Sequence, residues 1–108
     1  MQTGDIVIVS FPYIDLVSFK ARPAVVVTQT KDNYNDVIIA LISSVVPTTI
    51  LPYQMVVQPD NINNLRAASV IKVSRLATVE ENKIVAVIGK LSSNQLTTFK
   101  TLFKSLVD

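Results

Sequence analysis

The sequence predicts a mainly β protein: a small, strongly curled sheet or barrel capped by one C-terminal helix. Three observations lead there. Short β-branched apolar runs recur at residues 6–9, 24–28 and 37–42, each shorter than an ordinary helix. Turn-forming residues separate the runs, as in Lys31-Asp32-Asn33-Tyr34-Asn35-Asp36. Strong helical spacing occurs at the end of the chain, in Leu96, Phe99, Leu102, Phe103 and Leu106. The length of 108 residues suits one domain spanning 1–108.

Each element has its own local reason. Ile6-Val7-Ile8-Val9, between Gly4-Asp5 and Pro12, reads as a strand covered on both faces. Ala24-Val25-Val26-Val27-Thr28 reads likewise, launched by Arg22-Pro23, a strand start where a missing N–H is tolerated. Residues 37–42 give a third strand. Residues 53–58, set off by Pro52 and Pro59, give a fourth. Asp60 is placed to cap a helical turn over 61–66. Residues 69–74 alternate as a fifth strand, and 84–88, ended by Gly89, form a sixth. Thr78 and Glu81 have capping-box spacing, which predicts a helical turn between those two strands. Ser92 and Gln95 repeat that spacing and open the last helix. Its lysines lie in the second half, where they complement the helix dipole.

Composition excludes whole classes of chemistry. There is no histidine and no cysteine. Zinc, haem and iron–sulfur sites built on those residues are therefore excluded, with disulfides and any mechanism using histidine as acid or base. No cofactor and no metal site is expected. The net charge of +2, from 10 basic and 8 acidic residues, permits nucleic-acid binding without demanding it. No signal peptide and no apolar stretch near the roughly 18 residues of a membrane span is seen, so a cytoplasmic location is expected.

Arg22 is the first candidate functional residue. The proline after it holds its backbone extended, and a rigid strand then fixes where the guanidinium points. A fixed fork of donors suits a phosphate; the other reading is a solvated arginine at a strand end. Ser43-Ser44 closes the third strand. These hydroxyls can orient a phosphate or a 2′-hydroxyl, or simply start a turn. Lys72, with Ser74-Arg75 beyond it, reads as a basic stripe or as the wet side of an amphipathic strand. Phe11-Pro12-Tyr13 offers aromatic surface for base stacking, or part of the core. Carboxylates contribute little: Asp15 is the one near Arg22, and Glu80-Glu81 point differently.

Taken in order, these pieces resemble the PemK/MazF-type toxins. The resemblance is carried by Gly4-Asp5-Ile6-Val7-Ile8-Val9, by Phe11-Pro12-Tyr13-Ile14-Asp15-Leu16 and by Arg22-Pro23-Ala24-Val25-Val26-Val27. It continues in Asp36-Val37-Ile38-Ile39-Ala40-Leu41-Ile42-Ser43, Leu51-Pro52, Ser69-Val70-Ile71-Lys72-Val73-Ser74-Arg75-Leu76-Ala77-Thr78 and Ile88-Gly89-Lys90-Leu91-Ser92. It covers nearly the whole chain, and the opening looks closest to the shorter PemK-like branch.

The resemblance implies an SH3-like β-barrel with a C-terminal helix, usually a homodimer. It implies a metal-independent endoribonuclease that cleaves single-stranded RNA at short sequences, partnered by a cognate antitoxin. The family's functional pair, a strand-start arginine and a hydroxyl ending the third strand, matches Arg22 and Ser43. The family's RNA groove matches the loop 12–21 and the neighbourhood of Ser74-Arg75. Phe11, Pro12, Phe19, Lys20, Ser44, Ser74 and Arg75 are thus the expected RNA contacts. Ser43 stands where the family commonly has threonine, so a methyl that restricts χ1 is missing. The first loop carries Ser18-Phe19-Lys20 in place of the family's glycine and Ser-Glu pieces, which bears on the target sequence. Two other readings stay open: a non-cleaving or regulatory relative, and a gyrase inhibitor resembling CcdB. The ending Lys104-Ser105-Leu106-Val107-Asp108 lacks the terminal aromatic of the latter.

Overall fold

The computed structural model describes residues 1–12 and 19–107, without the side chains of Phe11, Pro12, Phe19 and Lys20. Six strands and one helix follow in order: β1 (Asp5–Pro12), β2 (Phe19–Gln29), β3 (Val37–Ser43), β4 (Gln54–Val57), β5 (Ser69–Val79), β6 (Ile84–Lys90) and α1 (Ser93–Lys104). The strands form one antiparallel sheet in the order β4-β5-β3-β2-β1-β6. The mainly β class with a C-terminal helix is as expected. The expected barrel is realised as an open sheet, with β4 and β6 as its edges among the described residues.

The curl comes from bulges. Register shifts interrupt β1 against β6, β2 against β3, and β3 against β5. Each extra residue bends its strand and increases the local twist. This explains the near-continuous apolar runs, because both sheet faces are covered. One face buries Ile6, Val25, Ile42, Met55 and Ile71 with Phe99 of the helix. The other buries Val7, Val9, Ala24, Val26, Val37 and Ile39.

The helix forms as its sequence predicts. Ser92 Oγ accepts the Gln95 N–H at 3.3 Å, and the Ser92 N–H donates to Gln95 Oε1 at 3.0 Å. Phe99 is 1% exposed. Leu96, Leu102, Phe103 and Leu106 pack beside it on the same apolar face.

Three expectations are corrected. The capping box of Thr78 and Glu81 does not form. Thr78 pairs with Ile38 in the sheet, and only a 3-10 turn, Glu81–Lys83, precedes β6, without a side-chain cap. Pro23 does not start its strand, because β2 begins at Phe19. The recorded pairing to β3 stops at Ala24, so around Pro23 the strand pairs with β1 alone, as an edge strand would. The helical turn after Asp60 forms but is shorter than 61–66, covering residues 61–63, with the Asn64 N–H donating to the Asp60 carbonyl at 3.0 Å. Asp60 caps that turn as expected, its Oδ1 accepting the N–H groups of Ile62 and Asn63.

Candidate functional site

The strand ends decide which predicted residues meet. In the β2–β3 ladder Ala24 faces Leu41, Val25 faces Ala40 and Val26 faces Ile39. Extending that register two residues past Ala24 sets Arg22 across from Ser43. Opposed residues of an antiparallel pair share a sheet face, so both side chains leave on the same side. Arg22 is exposed and Ser43 half-buried, as a site open to a large substrate needs.

Ser43 is held by its own turn. Its Oγ accepts the Val45 N–H at 3.1 Å. The turn reading of this serine therefore holds, and the turn fixes its oxygen. The hydroxyl proton stays available to donate, because the backbone bond uses only a lone pair. The turn also supplies the orientation that a threonine methyl would otherwise help impose. Ser44 is exposed and points to the other side of the strand end.

A third residue joins the pair. Lys72 of β5 faces Leu41 on one side and Gln54 of β4 on the other. Leu41 and Ser43 share a face by alternation, so Lys72 lies on the face of Arg22 and Ser43. It sits two residues along the strand from the Ser43 row, roughly 7 Å, within reach of a lysine side chain. Three donors, two of them cations, thus surround one end of β3.

Ser74 and Arg75 are not brought to that point. The β3–β5 register jumps from Leu41 opposite Lys72 to Ala40 opposite Leu76. Residues 73–75 have no partner in β3 and turn a corner, where Val73 is buried and Ser74 and Arg75 are exposed. Strand direction carries them away from Ser43. The alternation predicted from Lys72 to Ser74 ends at this corner. Of the expected groove loop, residues 13–18, Asp15 among them, lie outside the described residues. Phe11 and Pro12 belong to β1 and Phe19 and Lys20 to β2, with Phe11 paired to Lys20 and Pro12 to Phe19.

Sequence reasoning missed a further surface at the same strand end. Ile8, Pro23 and Ile88 of the sheet, with Asn64, Arg66 and Ala67 of the preceding loop, line a cleft of about 550 Å³. Nothing in sequence spacing links residues so far apart. Among the described residues no three acidic side chains group to hold a metal ion. No helix there is long and apolar enough to cross a membrane.

A family profile described as PemK-like, MazF-like toxin of type II toxin-antitoxin system matches residues 2–107. The chain belongs to this family. No curated protein matches it. Its fold is similar to that of the Mycobacterium tuberculosis toxin MazF-mt6, with a TM-score of 0.72 and 22% identity, covering 94% of this chain and 93% of that one. It is also similar to a structure described as an endoribonuclease in complex with its cognate antitoxin from Mycobacterial species. There the TM-score is 0.72 and the identity 12%, over 97% of this chain and 92% of the other. The sheet capped by a C-terminal helix matches the MazF-like fold.

Proposed function

We propose that this MazF-like toxin is a metal-independent endoribonuclease that cleaves single-stranded RNA, with Arg22 and Ser43 as its catalytic residues. What supports the reading is the β2–β3 register, Ala24 opposite Leu41, which if continued would set Arg22 across from Ser43 on one face, in a chain of the toxin family. Lys72 adds a second cation to that face.

The chemistry follows from the groups present. The 2′-oxygen of one nucleotide bonds to its neighbouring phosphorus while the bond from phosphorus to the next 5′-oxygen breaks. The products are a 2′,3′-cyclic phosphate and a 5′-hydroxyl. Negative charge grows on the non-bridging oxygens in the transition state, where placed donors count most. Arg22 offers its fork of N–H groups, Lys72 its ammonium and Ser43 its O–H. Arginine is a poor base, its pKa lying above about 12. With no histidine in the chain, the 2′-hydroxyl proton leaves to water, and water returns one to the 5′-oxygen.

The partners follow the same reading. A cognate antitoxin binds the toxin and blocks the groove; a structural neighbour described as in complex with its cognate antitoxin supports such a partner. The toxin works as a homodimer in the cytoplasm. Exposed apolar residues of edge strand β6, Val85 at 64% and Val87 at 54%, supply surface for association.

The test is to incubate the purified protein with a long unstructured RNA, with a chelator present, and map the new 5′ ends. Cleavage at recurring short sequences is expected, and Arg22→Ala abolishes it while the protein stays folded. A fully active Arg22→Ala protein sinks the site assignment, and an RNA left whole sinks the enzyme.

A further inference from the structure

The cleft lined by Ile8, Pro23 and Ile88 adjoins the proposed scissile site without being part of it. Ile8 and Pro23 face each other across β1 and β2, on the sheet face opposite Arg22. The two surfaces meet at the strand end. Ala21 and Pro23, which line the cleft, flank Arg22, and Ser44, also in its wall, follows Ser43. An RNA strand whose phosphate lies at Arg22 and Ser43 could reach the cleft by passing its neighbouring nucleotide round the end of β3 at Ser44.

The lining suits a base. The sheet side is apolar. Among the described residues the polar groups are Ser44, Asn64, Arg66 and Ser69, with no carboxylate. A flat apolar ring with a hydrogen-bonding edge, carried by an anionic backbone, matches that combination. The volume is in the usual range for a ligand site, roughly 300–1,000 Å³.

The loop wall is also built in advance. Asn63 is fully buried. Its Oδ1 accepts the N–H groups of Asp60 and Leu65 at 3.1 and 2.9 Å, and its Nδ2 donates to the Gln58 carbonyl at 2.8 Å. Asn64, at φ 54, donates from Nδ2 to the Ile88 carbonyl at 2.6 Å. Behind them, a Cβ on Gly89 would overlap the carbonyls of Ile62 and Asn63, so only glycine lets the loop lie this close to β6. A wall fixed before the ligand arrives loses little freedom on binding.

We infer that this cleft takes one base of the single-stranded RNA, next to the scissile phosphate, and that Arg66 reads the edge of that base. The inference rests on the ribonuclease reading for the position of the phosphate, while base binding is measured independently of cleavage.

Short single-stranded oligonucleotides made non-cleavable by 2′-O-methylation, differing in base, are titrated into the protein by fluorescence anisotropy. The variants are Ala67→Phe, Arg66→Ala and Arg22→Ala. Ala67 and Arg66 are exposed, so both substitutions leave the core intact, and circular dichroism checks it. Wild-type protein should prefer one base. Ala67→Phe, which fills the cleft, should weaken binding of the preferred sequence about 5- to 150-fold, the loss of one stacked base. Arg66→Ala should level the preference, and Arg22→Ala should weaken all sequences alike. Unchanged affinities and preference in both cleft variants overturn the proposal. Loss of antitoxin binding in those variants with RNA binding intact also overturns it, giving the cleft to a protein segment. A wild-type protein that binds with a base preference but cuts nothing supports the cleft and removes the ribonuclease reading.

Discussion

Replacing Ser43 by alanine separates the two jobs of that hydroxyl by their size. The structural job is the bond its Oγ accepts from Val45 N–H at 3.1 Å. A net intramolecular hydrogen bond is worth about 0.5–1.5 kcal/mol, and Val45 is exposed, so water can take over the freed N–H. The loss belongs at the lower end of that range. The proposed catalytic job is a donor aimed at charge that grows on the phosphate. Removing one such donor costs about 10²–10³ in rate. A domain stable by roughly 5–15 kcal/mol stays almost wholly folded after losing about 1 kcal/mol, so unfolding cannot mimic the rate loss. The assay pairs initial rates of cleavage of a short fluorogenic RNA with urea unfolding of the same samples. Ser43→Ala should unfold slightly earlier and cleave at least a hundredfold more slowly. Ser43→Thr keeps the hydroxyl and should restore most of the rate. A Ser43→Ala protein with the wild-type rate refutes the donor role, and a Ser43→Thr protein as slow as Ser43→Ala refutes the hydroxyl as its cause.

Lys72→Ala should weaken RNA binding for all sequences and lower the salt dependence by about 0.7 in log–log slope, the value of one phosphate contact on a single strand. Arg75→Ala, at the β5 corner, should change that slope less; equal slopes for the two variants would contradict the register argument. Phe99→Ala empties the centre of the helix–sheet core and should cost about 3–5 kcal/mol in urea unfolding. A loss under about 1 kcal/mol would mean that the helix is not docked as described. The Asp32 carboxyl is held below its ordinary value of 3.8, chiefly by the Thr30 hydroxyl and then by the Tyr34 N–H. Its depressed value means that this loop stabilisation is complete above the ordinary pKa and lost as pH falls through the lowered one. The Tyr34 and Asn35 amide resonances, titrated into acid, should move together with a midpoint below 3.8, and a midpoint at or above it refutes the assignment.

Most of the fold was legible because its signals are local. The β-branched runs, the turn at residues 31–36 and the capping box of Ser92 and Gln95 each depend on neighbours within a few residues. The errors arose where a distant partner overrode a local preference. Thr78 has the spacing of a cap, yet β3 offers it a ladder partner in Ile38, and the sheet wins. The site divides the same way. Arg22 and Ser43 stood out because a proline follows the one and the other ends a strand, features visible within each segment. Their opposition was not visible, because it depends on the register between β2 and β3. Register is set by bulges and by both buried faces together, and a one-residue slip would turn either side chain to the other face.

Lys72 and Arg75 show why a basic stripe cannot be read from alternation alone. Both are cations on β5, three residues apart, and along an unbroken strand alternation would put them on opposite faces. The corner at residues 73–75 interrupts that alternation by inserting residues with no partner in β3. Lys72 stays in the ladder beside Leu41, on the face of Ser43, while Arg75 is carried past the bend. The corner thus concentrates charge at one strand end, where the chain has no histidine to share the work. A site without a side-chain base near neutral pH gains most from donors fixed before the substrate arrives, since donors already in place need not reorganise as the charge develops. The Val45 bond to Ser43, the strand beneath Arg22 and the ladder around Lys72 are three separate ways of fixing them.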